Sequence, residues 1–506
     1  MKRLVKLMAL LLAALLVGCT APTGEENGES TDSTKDTFIY AIKSDLTTLD
    51  FHKASDLTTQ AVLWNIYEPL VHVDSENNVI PCIATDWEMN ETGDEYIFTI
   101  DTSIVWHNGD TLTVDDIVYT LERAATVPNM ASKTNMIASA EAISDTQVKV
   151  TLNAPYAPFL YNLTQVAVIN KAATEANGGD IDEPVGTGPY KYVSFVPGSE
   201  AVFVRHDEYH GEPAKIKNLK IRIITDAATR ALSLEAGDVD MTMTLDTIDY
   251  PTVESNPDLV LETGAQAMFY YIAMNTKVEP FNNEKVRQAI AYAIDFENLN
   301  IAVFEGYGTQ ANQPFTSRSF GYSDKYSFPT FDLEKAKSLM EEAGYAEGFS
   351  TSMLCYAGQT KLAAEALQSM LKEINIDLNI EVVEFSSAIA SMTSGDYEMG
   401  AYGWCDTVGD ADNVLRQLFA TETQGAAGNV SFYSNPEYDA IVNEAKVSTD
   451  PERRKELYEQ ALEIITTECP IAPLYFLPGD IAYQKDVKGV SFNSLLTFDL
   501  SKAYFE

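Results

Sequence analysis

The sequence predicts an α/β protein built from two or three domains. Strand-like alternation and helix-like periodicity interleave from about residue 38 to the C-terminus. Apolar residues make up 45% of the chain, and they extend over roughly 470 residues, enough for several cores. No internal repeat is visible, and only one short segment, near the N-terminus, has a biased composition.

The elements follow from local chemistry. Residues 38–42 (F-I-Y-A-I) and 95–101 (E-Y-I-F-T-I-D) read as short strands. Thr113 can accept from exposed backbone donors, and Asp115 and Asp116 favour the positive helix end, so a helix is expected to about Arg123. Its core face would carry Ile117, Val118 and Leu121. Asn283 can cap a helix over residues 284–294 with Val286, Ile290 and Ala293 on one face. Asp332 can cap another that ends before Gly344, where the missing Cβ suits a left-handed terminus. Pro451 opens a fourth, carrying Leu457, Ala461, Ile464 and Ile465.

The N-terminus has an export pattern. Lys2, Arg3 and Lys6 precede an apolar run at residues 7–17 that is too short to span a bilayer, which predicts a signal peptide. Leu16-Val17-Gly18-Cys19 resembles a bacterial lipobox, so Cys19 is expected to be acylated and to become the mature first residue. Residues 20–36 have almost no apolar side chains and would be a solvated tether. Two or more acyl chains on Cys19 would hold the protein outside the cell at its membrane.

The formal charge of −41 opposes binding to phosphate backbones, so no nucleic-acid partner is expected. Cys82, Cys355, Cys405 and Cys469 form no C-x-x-C pair, and their spacing suggests neither a metal site nor a redox dithiol. The chain lacks G-x-S-x-G, H-E-x-x-H, a Walker loop and a complete dinucleotide fingerprint. Gly186-Thr187-Gly188 before Pro189 reads as a turn. Five histidines leave little material for general-base chemistry. His206 and His210 are four apart but sit in a loop-like segment, and His107 precedes a turn at Asn108-Gly109, which favours a structural role. Asp406, Asp410 and Asp412 fail the spacing of an EF-type calcium loop and read as a solvated or ligand-facing loop. No catalytic residue, metal ligand or cofactor is assigned.

Four separated segments carry a resemblance. They are W-H-N-G-D-T-L-T-V-D-D-I-V-Y-T-L-E-R at residues 106–123; V-G-T-G-P-Y onward at 185–211 with the run to Asp240; M-N-T-K through A-Y-A-I-D within 270–299; and G-W-C, G-D-A-D-N and P-I-A-P-L-Y between Gly403 and Tyr475. Together they resemble the family 5 extracellular solute-binding proteins, the oligopeptide-, dipeptide- and nickel-binding components of ABC importers. The resemblance implies a periplasmic-binding-protein-like fold of class II, two lobes joined by a hinge with an additional domain on the first. Lobe 1 would comprise residues 36–60, 171–270 and 485–506, the extra domain 61–170, and lobe 2 271–484, with hinge crossings near Tyr270-Tyr271 and Ile481–Tyr483. The protein would be no enzyme. It would act as a monomer that captures a ligand and delivers it to membrane permease subunits.

The resemblance also implies a site. Peptide-binding relatives lay an extended ligand against backbone of both lobes, and the matching positions are Ser44, Asp45 and Leu46, and Tyr402, Gly403, Trp404 and Cys405. They hold the ligand's amino group with an aspartate three residues after the tryptophan. Here that position is Thr407, with Asp406 one earlier. Either Asp406 takes over that role or the ligand lacks a free amino terminus. The alternative to an oligo- or dipeptide is an oligosaccharide or other neutral solute stacked on Trp404, Tyr402, Tyr270 and Tyr271, with a nickel or metal-chelate carrier and an exported hydrolase behind it.

Overall fold

Four of the expected helix starts are set by side chains that satisfy the first backbone donors. In the computed structural model, which describes residues 35–74, 77–425 and 428–506, Thr113 and Asp116 form a reciprocal capping box ahead of the helix Val114–Thr126. Asn283 accepts from Lys285 N before Glu284–Tyr292, Asp332 from Lys335 N before Leu333–Glu342, and Asp450 from Glu452 N before Pro451–Glu468. Gly344 follows the second of these with φ +83°, as a left-handed terminus requires. Ile117, Leu121, Val286, Ile290, Ala293, Leu457, Ala461 and Ile465 are buried, whereas Val118 and Ile464 lie at the edges of their cores. The export segment and Cys19 lie outside the described residues.

One mixed sheet of eleven strands runs through the molecule. Its order is Ile376–Val382, Phe349–Cys355, Met399–Cys405, Leu259–Met274, Ile471–Gln484, Met241–Met243, Thr37–Ile42, Asn218–Ile223, Glu200–Arg205 and Tyr190–Val196, with Thr309–Gln310 added beside Ile471–Gln484. Separate hydrophobic cores lie along it. One is drawn from residues between Phe269 and Phe476. Another combines Phe38 to Tyr67, Ala167 to Met243 and Ile481 to Ala503. A third, built on the four-stranded sheet of Ala84–Met89, Glu95–Ile100, Gln147–Leu152 and Ile137–Ser144, takes residues between Leu70 and Val168.

Two long antiparallel strands, Leu259–Met274 and Ile471–Gln484, connect the first two cores. Their ladder breaks between Ala265 and Phe269, and it shifts again between Tyr270 and Tyr271. Just before the break Gly264 faces Gly479, and a Cβ on either would strike the ring of Phe492, at 2.5 and 2.7 Å. The pair is glycine because an aromatic ring lies directly on the backbone.

Gly186 and Gly188 answer to a similar constraint. Gly188 N donates to Ile66 O at 2.9 Å, and a Cβ on Gly186 would stand 1.9 Å from that same oxygen. The motif read as a turn is a close crossing of two backbones, held also by His107, whose Nε2 donates to Gly188 O at 2.9 Å and whose Nδ1 accepts from Gly186 N at 3.2 Å. Burial lowers the His107 pKa to about 3, so the ring is neutral, as this bonding pattern needs. His206 packs edge-on against it, while His210 lies in a loop and donates to Glu68 at 2.8 Å. Among the described residues no helix is long and apolar enough to cross a membrane.

Candidate ligand-binding site

Strand direction locates the site. Phe349–Cys355 runs parallel to both Ile376–Val382 and Met399–Cys405, so their carboxyl ends open on one edge, where α/β sheets bind ligands. Tyr356, Phe385 and the loop from Asp406 to Gly409 follow those ends.

The strand Met399–Cys405 is paired on one side along its whole length, from Met268–Cys405 to Met274–Met399. On its other side it pairs with Phe349–Cys355 only at Met399 and Gly400. Beyond Gly400 that edge has no strand partner among the described residues. Its backbone groups are placed to accept an added extended chain.

Gly403 keeps this edge low. A Cβ there would come within 2.9 Å of the Tyr270 ring, which lies across it as its cross-strand partner. The Tyr356 hydroxyl donates to that of Tyr270 at 3.4 Å, and the Tyr356 ring meets Phe385 edge-on at 5.1 Å. Phe385 is 58% exposed, so Tyr270, Tyr356 and Phe385 form an open aromatic row. Trp404 is half-buried against the same core, and its Nε1 donor is buried with no acceptor among the described residues.

The Asp406 carboxylate is 5% exposed. It accepts from Ser319 Oγ, from Gly409 N at 3.0 Å and from Asn413 Nδ2 at 3.4 Å. Burial, partly offset by these donors, raises its pKa above the ordinary carboxylate value. Asp406 and Thr407 line a small cavity together with Asn77, Gln165, Arg318 and Ser494. Burial foremost, with nearby Asp406, pushes the Cys405 thiol up to about 12, against a lowering by Lys133.

The loop is pinned from behind. Asp410 accepts from Arg454 Nη2 at 2.5 Å and Tyr458 OH at 2.8 Å. Phe320 N donates to Gly409 O at 2.8 Å and Ala411 N to Phe320 O at 2.9 Å. Asp412 takes Arg416 and, from the third core, the Tyr156 hydroxyl at 3.1 Å. Asn77 Nδ2 reaches Gly409 O at 2.6 Å, and Ala157 N reaches Lys446 O at 2.8 Å. The three aspartates singled out in the sequence therefore have three separate structural partners, and they are not gathered around one point.

The structure brings together Tyr270, Gly403, Trp404, Cys405, Asp406 and Thr407. It does not bring the others to the same face. Tyr271 and Tyr402 are 1% and 6% exposed and pack edge-on in the core, because adjacent residues of a strand point to opposite faces. They offer no stacking surface. Leu46 is buried in the core around Phe38, and the Asp45 carboxylate accepts from Leu46 N at 3.0 Å and Gly198 N at 2.7 Å. Tyr356, Phe385 and Arg318 escaped the sequence reading. The first two could have been found as aromatics directly after strand-like runs.

A sheet shared by two cores, with the Asp406 loop at its carboxyl edge, matches the two-lobed periplasmic binding proteins. Residues 78–426 match the family described as bacterial extracellular solute-binding proteins, family 5 Middle. The chain belongs to that family, the substrate-binding components of ABC transporters. It is 30% identical over 452 residues, 85% of this chain and 87% of the other, to the glutathione-binding protein GsiB of Pectobacterium atrosepticum. It is similar to HbpA2 of Haemophilus parasuis, with TM-score 0.86, 26% identity and coverage of 93% of this chain and 100% of that one. It is also similar to the ABC transporter-associated DppA of Helicobacter pylori in complex with peptide STSA, with TM-score 0.77, 26% identity and coverage of 93% and 98%.

Proposed function

We propose that this chain captures small peptides and peptide-like ligands and hands them to a membrane permease, without catalysing a reaction. The unpaired edge beyond Gly400 carries this reading: it offers backbone hydrogen bonds that do not depend on ligand sequence. The aromatic row beside it gives apolar cover. The similarity to a glutathione-binding protein and to a structure holding a tetrapeptide supports the ligand class. The neutral-sugar alternative loses two of its four stacking faces with Tyr271 and Tyr402 in the core.

We infer lobes close to the expected 36–60, 171–270 and 485–506 for lobe 1, 61–170 for the extra domain and 271–484 for lobe 2, although residues 62–67 and 481–483 pack in the core assigned to lobe 1. The interrupted ladder between Ala265 and Phe269 is the natural place for the hinge. Ligand contacts to both lobes would shift the equilibrium toward a closed form that the permease recognises. Cys19, acylated, would keep the protein at the extracytoplasmic membrane face.

Within this reading Asp406 receives the ligand's amino group, since a carboxylate at this depth gains more from a bound ammonium than Thr407 could provide. Asp406→Asn is expected to weaken binding of peptides with free amino termini at least about tenfold, the scale of one charge-assisted hydrogen bond, and to spare N-acetylated ones. Calorimetry on the two peptide forms checks it. Equal affinity of wild type and variant for free peptides removes Asp406 from that role.

A further inference from the structure

Tyr307 has a place that the ligand site does not explain. It follows the helix Phe296–Phe304 in the part assigned to lobe 2, yet its ring packs on a small core that includes Leu234, Leu245, Tyr250 and Val253 from the part assigned to lobe 1. The Tyr250 and Tyr307 rings meet edge-on at 4.8 Å, and Glu254 stands beside the Tyr307 hydroxyl. Thr247 Oγ1 donates to Glu305 on the same loop.

Both sides of this contact are braced. Glu305 and Gly306 have left-handed backbone, with φ +52° and +96°. The Asn300 side chain ties their turn, donating to Gly306 O at 3.0 Å and Gly308 O at 3.1 Å and accepting from Gly308 N at 2.7 Å. Opposite, Arg230, 2% exposed, donates to Thr244 O. Asp480, 1% exposed, accepts from Leu245 N at 3.2 Å and from the Tyr250 hydroxyl at 2.9 Å. A ring presented and received by groups already fixed gives up little further conformational freedom on contact.

The contact spans a gap in the sheet. One edge of Ile471–Gln484 pairs with Leu259–Met274, and the other pairs with Thr309–Gln310 at Tyr475 and Phe476 and with Met241–Met243 at residues 481–483. On this second edge residues 477–480 have no strand partner among the described residues. The same stretch adjoins the ladder break between Ala265 and Phe269, so few backbone bonds resist a relative rotation there.

The geometry points to Tyr307 as a peg that lobe 2 seats in lobe 1, a latch beside the hinge that holds the lobes in the orientation seen in the structure and must unseat before they swing apart. The inference rests on the two-lobe reading and adds the residue that limits the motion.

Small-angle X-ray scattering on the ligand-free protein tests it, whatever the ligand is. Tyr307→Ala should raise the radius of gyration by about 1 Å on the roughly 23 Å expected of a compact chain of this length. Thr247→Val, which removes one hydrogen bond, should raise it less, and Tyr307→Phe, which keeps the ring, should stay near wild type. Ile301→Ala, at a side chain 61% exposed on the same helix, should leave it unchanged. Cooperative thermal unfolding of Tyr307→Ala establishes that the larger radius is not a general loss of structure; should that variant fail to fold, Thr247→Val decides by the same criterion.

An unchanged radius in Tyr307→Ala and Thr247→Val overturns the latch. Phe492→Ala then shows how far the failure reaches. If it changes the radius, the hinge stands without a peg; if it does not, the reading of two moving lobes falls as well. A smaller radius in Tyr307→Ala also overturns the latch, since the seated ring would then be holding the lobes apart.

Discussion

Arg454→Met is expected to destabilise the folded protein by about 3–5 kcal/mol, the range for removing one partner of a buried ion pair. Both Arg454 and Asp410 are almost fully buried, at 5% and 0% exposed. The arginine supplies the 2.5 Å contact to Asp410, and its guanidinium also lies over the Phe320 ring at 4.7 Å. Burial already pushes the Asp410 pKa upward, with Arg454 acting in the opposite direction. Without Arg454 only Tyr458 and the Asp412 amide remain as donors. Urea unfolding measures the loss, and the double variant Arg454→Met, Asp410→Leu should recover much of it because no buried charge is left unpaired. A single-variant loss below about 1 kcal/mol, the level of an exposed pair, would show that water reaches Asp410. Ligand affinity should fall with stability, since Asp410 lies one residue from Gly409 and four from Asp406 on the loop that lines the cavity.

Gly186→Ala should cost about 3 kcal/mol, the upper part of the range for overpacking. The added carbon would meet the Ile66 carbonyl oxygen at 1.9 Å and its carbon at 2.7 Å, and both are backbone atoms. No rotamer change can relieve that contact. Relief requires parting two chains that are joined by the Gly188 N to Ile66 O and Tyr190 N to Asn65 O hydrogen bonds. Thermal unfolding is the readout. A variant as stable as wild type would mean that residues 185–188 can move away from Ile66 without loss.

Much of the fold was legible because its signals are local. Thr113, Asn283, Asp332 and Asp450 each cap within three residues of themselves, so a short window contains both donor and acceptor. The candidate site was legible only where it coincides with a strand. Gly403 and Trp404 lie in a run whose alternation is visible, yet Tyr271 and Tyr402 were misplaced, since alternation does not say which face is open. Arg318 is invisible from sequence: its loop shows no periodicity, and Asp406, in the same cavity, lies 88 positions away. The acids at 406, 410 and 412 looked like one group and have three sets of partners, because direction around a loop is not encoded in spacing.

The ring of Phe492 on Gly264 and Gly479 has a bearing on how the protein responds to dilute ligand. If the proposed hinge lies at the adjoining ladder break, the stiffness of that crossing would set the fraction of molecules already able to close, and the apparent dissociation constant would be the intrinsic one divided by that fraction. Phe492→Ala removes a ring that packs on Gly264 and Gly479 and is not among the residues lining the Asp406 cavity. It should shift the apparent constant for every ligand by one common factor while leaving their ranking intact. Capture range and selectivity would then be adjustable at separate places in the chain, the first by residues that never contact what is carried.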